Sequence, residues 1–179
     1  LDLTRDPVTT WYEICPLSTR RDFWIRTVWE GKPPLGPYTL DDGRDIYDVV
    51  ADGNLEELPF DVWFERETIS RGKRRGDILW GGPPTLVSQR FADAVAELGV
   101  AGCSTFEVNL FSANEGRVTG YVGFVENTEG TSEITSYAWR ESAHSFAWIV
   151  SERVLEGLKE RGVCLLYTSL SGLARQTVT

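Results

Sequence analysis

One segment of this chain is written twice. Val87-Ser88-Gln89-Arg90-Phe91, running on to Leu98-Gly99-Val100, aligns without gaps on Val150-Ser151-Glu152-Arg153-Val154, running on to Arg161-Gly162-Val163. The Val-Ser opening, the arginine and the Gly-Val ending coincide, and so do apolar positions between them. The physical logic is the same in both copies. A strand residue leads into a serine whose oxygen can cap a helix. Phe91, Val95 and Leu98 recur at helical spacing, and glycine can end the helix before valine opens a new strand. The spacing predicts a helix over 88–98 and a similar one in the second copy. Two short units are too few for a solenoid. They predict two similarly packed helices against antiparallel sheet, an α+β fold.

The rest of the chain reads mostly as strands. Trp11–Cys15, Phe23–Trp29 and Phe60–Glu65 have strand composition or alternation, with Pro16 and Gly31-Lys32-Pro33-Pro34 as breaks. Ser104–Phe111 and Val118–Val125 flank the turn Ala113–Gly116 and predict a hairpin. Asn127–Ser132 is a polar loop. Ile134–Trp139 and Ser145–Val150 read as two further strands. Ile46, Val49 and Val50 make one short apolar helical face. The fold class is therefore α+β, antiparallel sheet or sheets with two or three packed helices. Residues 1–163 form a single domain, and 164–179 form an uncertain C-terminal tail. Within that tail Cys164–Ser169 resembles translated sequencing-adapter sequence. The other reading is a genuine strand over Val163–Thr168.

Charge narrows the partners. The formal net charge is -9, which speaks against nucleic acid and against an anionic membrane surface. It suits a basic partner, whose encounter it would hasten, or it serves solubility alone. The acids concentrate between Asp41 and Glu57, as Asp41, Asp42, Asp45, Asp48, Asp52, Glu56 and Glu57. These seven are the candidate partner-binding residues. The N-terminus lacks a signal-peptide pattern, and no apolar run is long enough for a membrane span. Cys15, Cys103 and Cys164 are scattered and odd in number, which reads as reduced cytoplasmic thiols. The chain contains no methionine and reads as a fragment or a trimmed product.

Chemical constellations are sparse. His144 is the one histidine. Glu141, Ser142 and Ser145 beside it do not make the usual triad arrangement, so His144 reads as structural or surface. One histidine and three scattered cysteines do not supply a zinc site. Asp41-Asp42-Gly43-Arg44-Asp45 lacks the ligand spacing of a calcium loop and reads as a solvated acidic face. No phosphate loop or dinucleotide fingerprint occurs. Arg71–Gly76 is a basic turn, and Gly81-Gly82-Pro83-Pro84 either lines a pocket or positions the turn before Ser88. Trp11, Trp24, Trp29, Trp63 and Trp80 fall in or near strands, where core packing is the default and an exposed subset would mark a binding surface. No catalytic residue, metal ligand or cofactor is assigned, and the chain reads as no enzyme.

The stretch Ile78-Leu79-Trp80-Gly81-Gly82-Pro83-Pro84-Thr85-Leu86-Val87-Ser88-Gln89-Arg90-Phe91, continuing through Leu98–Gly102, resembles a signature of immunity proteins from bacterial polymorphic-toxin systems. Phe106–Val125 resembles the hairpin after the first copy of that signature, and Ile149–Val163 resembles the terminal copy. The likeness spans about residues 78–163 and is built from helix caps and apolar spacing. It implies a small cytoplasmic, non-catalytic protein that binds and neutralises a cognate protein toxin by occlusion, with no functional residue fixed by the pattern. Two other classes stay open. One is a small-ligand binder or enzyme with a carboxylate- and tryptophan-lined pocket, which requires convergent polar groups and a carboxylate of raised pKa. The other is an assembly module with a large apolar interface.

Overall fold

The computed structural model describes residues 10–16, 19–79, 81–126, 132–136 and 148–169. The readings that rest on His144, Trp80, the polar loop at 127–131 and the strand segments within 137–147 lie outside the described residues. Twelve strands and three helices are described. The strands are β1 (Trp11–Cys15), β2 (Ile25–Trp29), β3 (Val62–Arg66), β4 (Ile78–Leu79), β5 (Thr85–Ser88), β6 (Cys103–Phe106), β7 (Leu110–Ser112), β8 (Gly116–Val118), β9 (Tyr121–Glu126), β10 (Ile134–Ser136), β11 (Trp148–Ser151) and β12 (Leu166–Ser169). The helices are α1 (Ile46–Ala51), α2 (Gln89–Glu97) and α3 (Glu152–Glu160). The strands form three four-stranded sheets, ordered β10-β11-β1-β12, β2-β3-β7-β8 and β4-β5-β9-β6. The fold is α+β. Its pairing is antiparallel except between β3 and β7, which run parallel.

The written repeat becomes a structural one. In each copy a strand runs into a capping serine. Ser88 Oγ accepts from Phe91 N at 3.1 Å, and Ser151 Oγ accepts from Val154 N at 3.3 Å. Each helix closes the same way. Val100 N donates to Val95 O and Val163 N to Leu158 O, around Gly99 at φ +65° and Gly162 at φ +72°. Only glycine takes that backbone at little steric cost.

The equivalence extends to the sheets. β5 and β11 each pair with a preceding short strand, β4 or β10. Each also pairs with a longer strand, β9 or β1, which pairs in turn with the strand after the helix, β6 or β12. The same residue offset carries Cys103–Phe106 onto Leu166–Ser169.

A carboxylate ties each copy, buried in the first and half-buried in the second. Asp77 accepts from Ser88 Oγ, and Arg90 forks onto both of its oxygens at 2.8–2.9 Å. Glu133 likewise accepts from Ser151 Oγ at 2.8 Å and from the Arg153 guanidinium. The copies also clasp each other. Cys164 N donates to Asp77 Oδ2 at 2.7 Å, while Ser132 Oγ donates to the Ala101 carbonyl at 2.8 Å.

The core has two parts. The first packs α2 and α3 against the two equivalent sheets, with Phe91, Phe124 and Trp148 in mutual ring contact at 4.9–5.6 Å. The second joins β2-β3-β7-β8 and α1 to the other face of β4-β5-β9-β6. That middle sheet is buried on both sides. Ile78, Val87 and Phe124 face the first core, while Leu79, Leu86 and Tyr121 face the second. The adjacent apolar pairs Ile78-Leu79 and Leu86-Val87 follow from two-sided burial, where alternation is lost.

The expected Ser104–Phe111 strand is split. β6 joins the middle sheet, the chain crosses at 107–109, and β7 joins β3. The hairpin with 118–125 is divided in the same way, as β7-β8 and β6-β9. β6 therefore packs Cys103 against the first core while β7 sends Leu110 into the second, a change of sheet that the alternation over Phe106, Val108 and Leu110 does not reveal.

Candidate functional site

The acidic segment is organised by its own side chains. Asp45 caps α1 by accepting from Tyr47 N at 2.7 Å. The apolar face Ile46, Val49 and Val50 is buried in the second core. Past the helix, Gly53 packs so closely on Phe106 and Val125 that a side chain there would collide with the Phe106 ring. This contact seats α1 on the middle sheet. Arg44 then binds both Asp42, at 2.9 Å, and Glu57. The Arg44 hydrogen bonds, backbone first, hold the Asp42 carboxyl below its usual range.

Of the seven candidate residues, Asp42, Asp45 and Glu57 thus have structural work. Asp41, Asp48, Asp52 and Glu56 are exposed and form no ion pair among the described residues. Arg44 is the one base between Asp41 and Glu57. Asp48 lies in the first turn of α1, where the helix dipole favours an anion. Asp52 caps the other end, where the dipole disfavours one. Four carboxylates are therefore presented around one short helix and the 3-10 turn Leu55–Glu57 without internal neutralisation.

Several other charged groups have structural work. Arg74 and Thr19 hydrogen-bond buried Asp22, and the Arg74 contact is the main reason its carboxyl is held down. Arg75 pairs with Glu115 at 2.6 Å and lies over the Phe23 ring, so two of the basic-turn arginines are structural. Glu65 is lowered first by the Trp63 indole and then by Arg26, and Glu133 by Arg153. Among the described residues the carboxyls of Asp22, Asp42, Glu65 and Glu133 are shifted, and all four move down. That is opposite to the direction an acid catalyst at neutral pH requires. Burial pushes the Tyr121 hydroxyl up to about 12, and it donates to the Gly76 carbonyl. Among the described residues no group of three or more His, Cys, Asp or Glu could hold a metal ion. None of the described helices is long and apolar enough to cross a membrane.

The tryptophans divide as their strands do. Trp29 and Trp148 are buried, whereas Trp11, Trp24 and Trp63 are half-buried. Trp63 stands on the outer face of β3 beside a shallow pocket of about 420 Å³ shared with Asp61, Asn109 and the exposed Phe111. A larger pocket of about 620 Å³ runs along β2, with Trp29, Lys32, Tyr38 and Tyr47 in its wall. The Gly-Pro turn borders it. Gly82 lines the pocket, and Thr27 Oγ1 donates to the Pro83 carbonyl at 2.5 Å.

Sequence reasoning missed this aromatic pocket, because its residues come from a strand, a turn and a helix. It also missed Asp77 and Glu133, which stand at unequal distances before Ser88 and Ser151 and so escape a gap-free comparison. No family model matches the chain, and no curated protein matches it.

Proposed function

We propose that this chain is a non-catalytic immunity protein. It binds a cognate bacterial toxin through the acidic surface of α1 and its flanking turns, and it neutralises that toxin by covering its working surface. The carrying observation is the set Asp41, Asp48, Asp52 and Glu56, four exposed carboxylates with no ion-pair partner among the described residues. Such a surface complements a basic one, such as the substrate-binding face of a nuclease, and charge of this kind acts mainly on encounter rate and specificity. Asp42 and Glu57, which share Arg44, frame the site rather than lead it. The resemblance of residues 78–163 to immunity proteins supports the same reading.

A protein of this class acts in the cytoplasm of the producing cell. Co-expression tests the proposal. The product of the neighbouring gene is induced in bacteria with and without this chain. Restored growth, together with a 1:1 complex on gel filtration, is the expected result. Killing that proceeds equally in both strains would contradict it.

A further inference from the structure

The larger pocket carries a lysine that forms no ion pair among the described residues. Lys32 Nζ donates to the Thr27 carbonyl at 2.7 Å and to Tyr47 Oη at 2.8 Å. It stands 4.6 Å from the Trp29 ring centre, 5.2 Å from Tyr47 and 5.4 Å from Tyr38. Those rings brace one another edge-to-face at 5.3–5.8 Å, and Phe60 stacks on Trp29. An ammonium has three donors, so one remains after these two bonds. Arg44, Arg74, Arg90 and Arg153 each meet a carboxylate. Lys32 meets only π faces and neutral oxygens.

A second cation shares the wall. Arg26 reaches Glu65 through Nη2 at 3.0 Å, but its Nε is buried and has no acceptor. Burial is the main reason that the Lys32 ammonium is less favourable than in water; Tyr38 acts the other way, Arg26 adds to the effect of burial, and Glu67 opposes it. The pocket's one acid, Glu67, turns its carboxylate to its own neighbour, accepting from Thr68 N at 2.6 Å and Thr68 Oγ1 at 2.9 Å. The remaining lining includes Val28, Pro33 and Pro34. The volume lies within the range of small-molecule sites, which combine apolar walls with a few placed polar groups.

We propose that this pocket binds a small organic oxyanion, a carboxylate or a phosphate ester on a planar apolar body. The oxyanion accepts from the third donor of Lys32 and offsets its charge, beside the unsatisfied Nε of Arg26, while the body lies against Trp29 and Tyr38. The acidic surface of α1 is not needed for this, so the inference stands or falls independently of the toxin-binding proposal.

The wild-type protein supports a direct test. It has three lysines, Lys32, Lys73 and Lys159. Reductive methylation read by mass spectrometry therefore reports Lys32 with two internal controls. Four probes share one body: 4-nitrobenzoate, 4-nitrophenyl phosphate, 4-nitrobenzyl alcohol and 4-nitrobenzylamine. The expected result is saturable protection of Lys32, at least tenfold, by one or both anions. Lys73 and Lys159 should be unaffected, and the alcohol and amine should give little protection. The two anions tell carboxylate from phosphate as the preferred group. K32M should weaken anion binding at least tenfold by calorimetry, and if K32M does not fold, the wild-type footprint decides. Absence of protection at millimolar anion would overturn the proposal. So would equal protection by the alcohol, which would make the pocket a merely apolar slot, or preferential protection by the amine, which would make it a cation cage.

Discussion

At the scale of single residues, two carboxylates hold the repeat together, and they are not equal. Asp77 is 2% exposed and accepts from Ser88, Arg90 and the Cys164 amide. The Glu133 side chain is 36% exposed and serves Ser151 and Arg153. D77A removes one buried acceptor from three donors, of which Arg90, 57% exposed, can be rehydrated, and should cost about 2 kcal/mol. E133A leaves donors that water can reach and should cost about 1 kcal/mol. Urea unfolding of the two variants checks the order, and equal losses would contradict it. Asp22 sets an acid limb. Its folded-state pKa is held below the ordinary value of 3.8, chiefly by Arg74, so the fold favours its ionised form. The stability this provides is present above that value and is lost as pH falls through the lower folded-state pKa. D22N should therefore be less stable than the parent at neutral pH, and it should lose less stability between about pH 4 and pH 2. Thermal melts across that range measure both. Neither carboxylate role was legible beforehand. Ser88 and Arg90 announce a cap and a basic neighbour, but the acid they share is chosen by strand pairing, through Ser88 N to the Asp77 carbonyl.

At the scale of elements, legibility followed periodicity. α2 stands at Gln89–Glu97 behind its Ser88 cap, as the spacing over 88–98 requires, and α3 repeats it. The short face Ile46, Val49 and Val50 is a true helix, α1. What pattern could not show was the division of β6 from β7, since Phe106, Val108 and Leu110 alternate without a break where the chain changes sheet. The register of β6 on β9 turns on a close approach. Phe106 lies opposite Gly123 and covers it, so any side chain at 123 meets that ring. The same ring seats Gly53 at the end of α1. G123A should destabilise by about 1–3 kcal/mol, as overpacked cores do. It should also loosen α1, visible as faster amide exchange at Val49 and Val50. Unchanged stability would mean that Phe106 moves aside at no cost.

At the scale of the whole molecule, the acidic segment was legible as composition, and its division of labour was not. Arg44 cannot be assigned to Asp42 and Glu57 until the chain turns between them. The residual acidic surface lies on the helix that joins the β2-β3-β7-β8 sheet to the middle sheet. It is therefore carried by a fixed core element, which lowers the ordering cost of association. Recognition of a basic toxin by that surface has a kinetic signature, since steering by exposed charge weakens with salt. The decisive measurement is stopped-flow association with the purified neighbouring-gene toxin. It compares the parent with D41N/D48N/D52N/E56Q at about 20 and 300 mM salt. The prediction is that the variant associates at least tenfold more slowly at low salt and loses most of the salt dependence, while its free energy of unfolding stays within about 0.5 kcal/mol of the parent. Identical association rates and salt slopes for the two proteins would contradict it.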